Sequence, residues 1–262
     1  MSTRHPSCYA KGPLRLRTMR HGAMLYNPLD VIVGRSLEMY GEYAEGAIGL
    51  LRSVVEPGMA VIEVGAHIGA HTVFLAQAVG ASGRVFAFEP QRMAYQNLNA
   101  NLALNDLENV VSFPFALGDQ PGVARIPVLT RHAVHNSAEL ALMAEEGEPV
   151  NVAPFDQYGF SEIQFIKISA CGGELPILTG ATETLESCQP VLYLDAPASE
   201  EDPDYKSFLV ERGYRLFRHD VSLFNPLNFF ECEENAFGDA LLRRVFALPA
   251  KVAPDFDALP QL

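Results

Sequence analysis

The sequence predicts an α/β fold, with a doubly wound, mostly parallel sheet and helices on both faces. From about residue 59 onward, short β-rich apolar runs alternate with helical stretches, which is typical of parallel sheets. Hydrophobic residues make up 48% and charged residues 19% of the 262 residues, enough apolar material for a substantial core. We therefore expect a single domain over residues 37–262, preceded by an N-terminal extension over residues 1–36.

The first predicted elements are short and regular. They run strand, helix, strand, helix, strand over Ala60–Val64, His71–Val79, Arg84–Phe88, 90–104 and Val110–Leu117. Gly80 suits the position that ends the first of these helices. Pro90 suits the first turn of the second helix, because its missing N–H costs nothing there.

Residues 118–155 are less regular. They contain a predicted hairpin over Gly122–Leu129, a polar loop over Arg131–Asn136 and an acidic run over Glu145–Glu148. A loop of that length inside a compact domain is typical of a lid, a binding loop or a disordered segment. Alternation then resumes with strand Ile163–Ile168, helix Glu174–Cys188, strand Val191–Leu194, helix Tyr205–Arg212, and strands Tyr214–Phe217 and Arg244–Leu248.

Charge and composition narrow the set of partners. The formal net charge of −13 repels phosphate backbones, so we do not expect nucleic acid to bind. The one basic stretch precedes Asp30, and we interpret it as a solvated or partly ordered arm that a homodimer would order. No apolar run approaches the roughly 18 residues of a membrane span. The four cysteines form no C-x-x-C pair, so we expect reduced thiols, a cytoplasmic location and no metal site.

The most informative stretch is the glycine turn between the first strand and the first helix, Glu63-Val-Gly65-Ala-His67-Ile-Gly69. Its glycines let the backbone pass close to a ligand, and the following helix supplies unpaired N–H groups. The G-x-x-x-G spacing departs from the G-x-G-x-x-G of dinucleotide sites. The carboxylate of Glu63 suits an ammonium, such as the amino-acid end of S-adenosylmethionine, better than a pyrophosphate. The turn therefore argues against a nicotinamide oxidoreductase.

Two further strand ends complete a predicted nucleoside site. The second strand ends in Glu89, whose carboxylate can accept hydrogen bonds from both ribose hydroxyls. The third ends in Ala116-Leu117-Gly118-Asp119, a small apolar corner suited to an adenine edge. Taken singly, each feature is also explained by a tight turn or by a surface carboxylate at a strand end. The joint order and spacing of these features favour a binding site for S-adenosylmethionine.

These residues resemble the FkbM-type methyltransferases. The resemblance runs from about residue 37 to 249 and is carried by Tyr40-Gly-Glu42, Pro57-Gly58, 61–69 with Thr72, 84–90, 97–105, 116–119, 165–168, Gly180-Ala181 and 223–226. It implies a seven-stranded Rossmann-like methyltransferase sheet and O-methyl transfer from S-adenosylmethionine to sugars, polyketides or related small molecules. The cofactor contacts we expect are Glu63, Gly65, Ala66, His67, Gly69, Thr72, Glu89, Pro90, Ala116 and Leu117.

The acceptor half departs from the family pattern. Where the family reads I-K-I-D-V-E-G, this chain has Ser169 and Cys171 in place of the two carboxylates. Neither side chain can act as a base near neutral pH without activation. Further departures are Asp195-Ala196 at the end of the fifth strand, Leu242 and Arg244 near the last strand, and His67 in the glycine turn.

Several residues remain as candidates for the chemistry. The catalytic candidates are Lys167, Asp195, His67 and Glu174, with His71, His132 and His135 as further possible bases. The candidate substrate contacts are Tyr40, Glu42, His135, Ser169 and Cys171. As structural alternatives, Lys167 forms an ion pair and Glu174 favours the first turn of its helix. Cys171 as a nucleophile is not favoured, since no His follows at a recognisable spacing.

Two functions stay open. The first is an O-methyltransferase that acts on a small-molecule or glycan acceptor. The second is a catalytically lapsed homologue that serves as a ligand-binding or scaffolding protein, because the lost polar residues cluster in the acceptor half. A cleft floor without a titratable group near the methyl position favours the lapsed homologue. A base supplied by His67 or His135 favours the enzyme.

Overall fold

The computed structural model describes residues 9–136, 142, 146–196, 204–251 and 259–262. In chain order its elements are β1 (Tyr9–Lys11), β2 (Leu14–Met19), β3 (Gly22–Tyr26), α1 (Val33–Tyr40), α2 (Glu45–Val54), β4 (Ala60–Val64), α3 (Thr72–Val79), β5 (Arg84–Phe88), α4 (Arg92–Leu104), β6 (Val110–Phe113), β7 (Ala116–Gly118), β8 (Gly122–Ile126), β9 (Glu148–Pro154), a 3-10 turn (Phe155–Tyr158), β10 (Ile163–Ile168), α5 (Glu174–Gly180), α6 (Thr182–Cys188), β11 (Val191–Asp195), α7 (Asp204–Glu211), β12 (Tyr214–Ser222) and β13 (Leu241–Pro249).

A seven-stranded sheet in the order β12-β13-β11-β10-β4-β5-β6 forms the centre of the molecule. The five strands from β11 to β6 run parallel, whereas β13 is antiparallel to both β11 and β12. Successive residues of a strand point to opposite faces, so the apolar run of β4 buries Val61 on one face and Ile62 on the other. Helices α2 and α3 cover the first face, and α5, α6 and α7 cover the second. The predicted doubly wound, mostly parallel sheet is confirmed.

The predicted third strand is wrong as a single element. Val110–Phe113 is the edge strand β6 of the central sheet, whereas Ala116–Gly118 belongs to a second sheet of order β7-β9-β8. Pro114 lies between them, and a proline cannot donate to a strand ladder. The predicted hairpin over Gly122–Leu129 is also wrong, because that range contains a single strand, β8, whose antiparallel partner β9 lies more than 20 residues further along the chain.

Two predicted helices have different boundaries in the structure. Helix α4 begins at Arg92, and the side-chain oxygen of Gln91 caps it by accepting from the Ala94 N–H at 2.7 Å, so Pro90 precedes the helix. The predicted helix over Glu174–Cys188 divides at Ala181 into α5 and α6.

Residues 14–26 are not a solvated arm, which corrects that expectation. Strands β2 and β3 form a hairpin that buries Met19, Met24 and Tyr26 against the start of α3 and against α4. The side-chain amides of Asn101 on α4 and of Asn105, which directly follows α4, serve as partners for the open edge of β3. Asn101 Oδ1 accepts from the Leu25 N–H at 2.6 Å, and Asn105 Oδ1 accepts from the Ala23 N–H at 2.9 Å. The hairpin therefore forms part of the packed structure.

Some predictions fall outside the described residues, namely those on residues 1–8, 137–141 and 143–145, including part of the acidic run. The division into residues 1–36 and 37–262 stays a prediction. Among the helices of the described part of the chain, none combines the length and the apolar composition that crossing a bilayer requires.

Replacing Asn101 with Ala is expected to lower the free energy of unfolding by about 2–4 kcal/mol. The fully buried amide also donates to the Ile68 carbonyl at 2.7 Å, so its loss leaves several buried backbone groups without partners. Urea denaturation followed by circular dichroism measures the change. The exposed Gln96→Ala on the same helix is the control and should shift stability by less than about 1 kcal/mol. Equal midpoints for the two variants would contradict this role for Asn101.

Candidate functional site

The carboxyl ends of the parallel strands frame a crevice at one edge of the sheet. The loops after β4 and β5 lead to α3 and α4 on one face, whereas the loop after β10 leads to α5 on the other face. Neighbouring strands β4 and β10 therefore form a topological switch point, the place where open α/β sheets bind ligands.

The glycine turn closes tightly between β5 and β10. The N–H groups of Gly65 and Ala66 both donate to the Phe88 carbonyl, at 2.9 and 3.0 Å. Gly65 has φ +76°, and a Cβ there would lie 1.9 Å from the Ser169 carbonyl oxygen. His67 occupies the left-handed region at φ +53°, which is uncommon for a residue other than glycine. The turn thus requires glycine at position 65 and holds His67 in an unusual conformation.

Glu89 joins the glycine turn to the start of α4. One carboxylate oxygen accepts from the His67 N–H at 2.7 Å and the other from the Gln91 N–H at 2.8 Å. The side chain is buried, and burial raises the pKa of the carboxyl to about 7, although the two N–H donors oppose this. Each oxygen keeps acceptor capacity, so the geometry suits a pair of ribose hydroxyls.

Both carboxylate oxygens of Glu63 have a partner within the protein. One of its oxygens accepts from the Thr72 hydroxyl at 2.6 Å, and the other lies 3.2 Å from the Lys167 ammonium. Glu63 and Lys167 are direct register partners of β4 and β10, and both are buried. The structural alternative for Lys167, an ion pair, is therefore what the structure contains. Thr72 opens α3, so Glu63 also fixes the start of that helix.

A chain of polar contacts continues from Lys167 across the sheet. The Lys167 ammonium donates to the Ser169 hydroxyl at 2.9 Å, and that hydroxyl donates to Asp195 at 2.9 Å. The Arg244 guanidinium reaches the same Asp195 oxygen at 2.8 Å. Asp195 and Arg244 are register partners of β11 and β13. We call the set Glu63, Lys167, Ser169, Asp195 and Arg244 the charge chain. Its two acids and two bases balance each other.

Comparison with known families decides what this architecture is. A family model described as the methyltransferase FkbM domain matches residues 63–216, more than half of the chain. The chain belongs to the FkbM methyltransferase family. The expectation from the sequence motifs is confirmed at the level of the family.

Solved structures show the same fold. Methyltransferase FkbM from Methylobacillus flagellatus KT superposes with a TM-score of 0.53 at 18% identity, over 84% of this chain and 48% of that one. This chain thus spans about half the length of that relative, and at this identity the likeness shows the fold alone. Precorrin-6y C5,15-methyltransferase from Geobacter metallireducens (TM-score 0.47, 15% identity, 77% and 85% covered) and M. jannaschii TYW2 in complex with AdoMet (TM-score 0.47, 13% identity, 91% and 86% covered) resemble it more weakly. No curated protein sequence matches the chain significantly.

Four further predicted site residues of this FkbM domain are Ala116, Leu117, Glu174 and Cys171. Ala116 and Leu117 are on β7 in the second sheet and are buried, with Leu117 in the same apolar cluster as Phe88. Their adenine contact stays a prediction. Glu174 is buried at the start of α5, and burial raises the pKa of its carboxyl, as the nearby Asp195 also does. Cys171 follows β10 in the left-handed region at φ +48° and is partly exposed.

Tyr40 and Glu42 direct their polar atoms to the protein. The Tyr40 hydroxyl donates to the Glu234 carbonyl at 3.0 Å and accepts from the Ala236 N–H at 2.9 Å. Glu42 accepts from Arg20 at 2.5 Å and from Asn225 at 2.7 Å, and both Tyr40 and Glu42 are buried. The structure gives these side chains a structural task, which is to hold the segment after β12 against α1. A substrate contact for either one stays a prediction.

A second group of titratable side chains lies beside the glycine turn and includes Asp30, which the sequence analysis missed. One carboxylate oxygen of the buried Asp30 caps α1 through the Val33 N–H at 2.9 Å. The other lies 3.7 Å from His67 Nε2 and 4.0 Å from His135 Nε2. The Val31 N–H donates to the His135 carbonyl at 2.9 Å, so the loop before residue 136 is attached to the N-terminal segment. No set of three or more His, Cys, Asp and Glu in the described ranges is arranged to hold a metal ion.

Replacing Lys167 with Met is expected to lower the free energy of unfolding at pH 7 by about 3–5 kcal/mol, because it leaves the buried Glu63 carboxylate without its cation. The double variant Glu63→Gln with Lys167→Met should recover at least half of that loss, since the amide still accepts from Thr72 and no charge remains unpaired. Urea denaturation of the three proteins measures both effects. A double variant that is no more stable than Lys167→Met would contradict the ion pair.

Proposed function

We propose that the protein transfers a methyl group from S-adenosylmethionine to a hydroxyl of a small molecule or glycan. The observation that carries the proposal is the Glu89 carboxylate, buried at the mouth of the crevice and fixed by two backbone N–H groups. In a chain of the FkbM methyltransferase family, such a carboxylate is suited to the ribose of the methyl donor.

The residues around the crevice fit this donor. Gly65 lacks the Cβ that would collide with Ser169, so the turn keeps its backbone close to the crevice. Glu89 offers two acceptor oxygens for the two ribose hydroxyls. When bound there, S-adenosylmethionine would supply a methyl group made electrophilic by a positively charged sulfur. Glu63 supports the turn through Thr72 and Lys167, and its contact with the ammonium of the donor stays a prediction.

The acceptor side is polar but carries no excess charge. Ser169, Cys171 and Asp195 are partly exposed at the ends of β10 and β11, and Asp195 is neutralised by Arg244. A balanced site favours an uncharged hydroxylated molecule held by hydrogen bonds in line with the methyl group. The formal net charge of −13 further disfavours a nucleic-acid acceptor.

One observation favours the second candidate function, a lapsed homologue that binds the ligand without transferring its methyl group. Both acids of the charge chain are held by basic partners, so neither Glu63 nor Asp195 is available as a base. Methyl transfer to a hydroxyl needs another group to accept the proton. The two functions therefore differ in whether a labelled methyl group ever leaves the donor.

Calorimetric titration with S-adenosylmethionine and S-adenosylhomocysteine tests donor binding, and we expect micromolar dissociation constants for both. Incubation with S-adenosylmethionine that carries a ¹³C-labelled methyl group and a panel of methyl glycosides and phenols then tests transfer. The NMR shift of the product distinguishes O-methyl from N-methyl and C-methyl groups. Binding without transfer to any acceptor would favour the lapsed homologue, and no binding of either nucleoside would overturn the proposed function.

The affinity for S-adenosylhomocysteine is expected to rise about tenfold between pH 6 and pH 8. Because the pKa of Glu89 is raised to about 7, roughly a tenth of the carboxyl is ionised at pH 6 and roughly nine-tenths at pH 8. Only the ionised form accepts from both ribose hydroxyls, so binding should also release protons to the buffer. Calorimetry in buffers of different ionisation enthalpy measures this release. Glu89→Gln should bind weakly at both pH values, and a variant that keeps the wild-type pH dependence would contradict the assignment.

A further inference from the structure

His71 has one ring nitrogen without a partner. It immediately precedes α3 and is buried, and its ring stacks on Tyr43 with centroids 5.3 Å apart at an angle of 27°. The Tyr43 backbone carbonyl accepts a hydrogen bond from the ring. Nε2 has no hydrogen-bond partner within the described part of the chain, so the nitrogen that donates to Tyr43 is Nδ1.

These contacts fix the tautomer of the imidazole. A carbonyl oxygen only accepts, so Nδ1 carries the hydrogen and Nε2 carries a lone pair. Burial, and then the positive charges of Lys167, Arg244 and His21, lower the pKa of His71 well below its usual value, so the ring is neutral at pH 7. A buried acceptor without a donor costs about 1–3 kcal/mol, and a hydroxyl bound at Nε2 would offset that cost.

The Tyr43–His71 pair adjoins the charge chain. His71 directly precedes Thr72, whose hydroxyl donates to Glu63 of the charge chain at 2.6 Å, and Glu63 lies 3.2 Å from the Lys167 ammonium. The ring therefore stands beside the residues over which the acceptor is proposed to bind.

The other candidate bases have partners or lie elsewhere. Asp195 is held by Arg244, and the buried Glu174 accepts from the Ala170 N–H at 3.4 Å. His67 and His135 lie beside Asp30, and His132 is exposed on the loop after β8. In contrast to His67, whose Nε2 lies 3.7 Å from Asp30, His71 has no carboxylate within ion-pair distance in the described part of the chain.

We propose that Nε2 of His71 accepts the proton of the acceptor hydroxyl during methyl transfer, an assignment that rests on the proposed function. The hydroxyl oxygen forms the new bond to the methyl carbon as the bond from that carbon to sulfur breaks. The electron pair of the broken bond stays on sulfur, which becomes a neutral thioether. The hydroxyl proton moves to Nε2, and the resulting imidazolium keeps its Nδ1 hydrogen bond to the Tyr43 carbonyl. Because the ring is a weak base, the imidazolium then releases the proton to water.

Two variants separate this role from a structural one. His71→Asn keeps an amide donor near the position of Nδ1 but removes the Nε2 lone pair, whereas His71→Gln places an amide near Nε2. Both should bind S-adenosylhomocysteine within about threefold of the wild type. Both should lose at least about 100-fold in the rate of methyl transfer at saturating donor with whichever methyl glycoside or phenol the wild type methylates. A wild-type rate in His71→Asn, or loss of nucleoside affinity in both variants, would overturn the proposal.

A second readout needs no acceptor. In protein with ¹⁵N-labelled histidine, the signal that His71→Asn removes should show a protonated Nδ1 and an unprotonated Nε2 at pH 7. A protonated Nε2 would overturn the proposal even if the protein transfers methyl groups. Failure of the wild type to bind S-adenosylhomocysteine would instead count against the proposed function, so the two failures are distinguishable.

Discussion

The charge chain at the carboxyl edge of the sheet is the interaction on which the rest of the site depends. A buried ion is costly unless an opposite charge lies beside it, and breaking such a pair costs more than never having it. Glu63 with Lys167 and Asp195 with Arg244 are each direct register partners, and Ser169 joins the two pairs. Four strands thereby meet in one balanced network. The network fixes the floor of the crevice and leaves it without excess charge.

Because of this balance, the residues that support the crevice differ from those available for the chemistry. Lys167 and Asp195, the conspicuous polar residues of the sequence, hold each other through Ser169 and so serve as support. The groups left for a ligand are not members of the charge chain. They are Glu89 at the glycine turn and His71 at the start of α3. Both are buried titratable groups whose charged forms are disfavoured by desolvation. The same edge of the sheet thus supplies a proposed ribose acceptor and a proposed proton acceptor.

The sequence predicted what is encoded locally. Apolar runs such as Ala60–Val64 and Arg84–Phe88 have the same bounds in the structure, because a buried parallel strand is a short local signal. The division at Pro114 was also readable, since a proline interrupts a ladder, but the second sheet depends on β9, which is distant in sequence. Arg244 was noticed as a departure from the family, yet its contact with Asp195 exists only because β11 and β13 pair. Local sequence patterns therefore predict the individual strands. Long-range strand pairing decides which polar side chains remain available to a ligand.

A crystal structure of the protein with S-adenosylhomocysteine tests the account most directly. We predict both ribose hydroxyls within hydrogen-bonding distance of Glu89, the thioether sulfur facing Ser169 and Cys171, and the Glu63–Lys167 pair unchanged. Nucleoside bound away from Glu89, or Glu63 released from Lys167 to meet the ammonium of the ligand, would contradict the separation of the charge chain from the donor site.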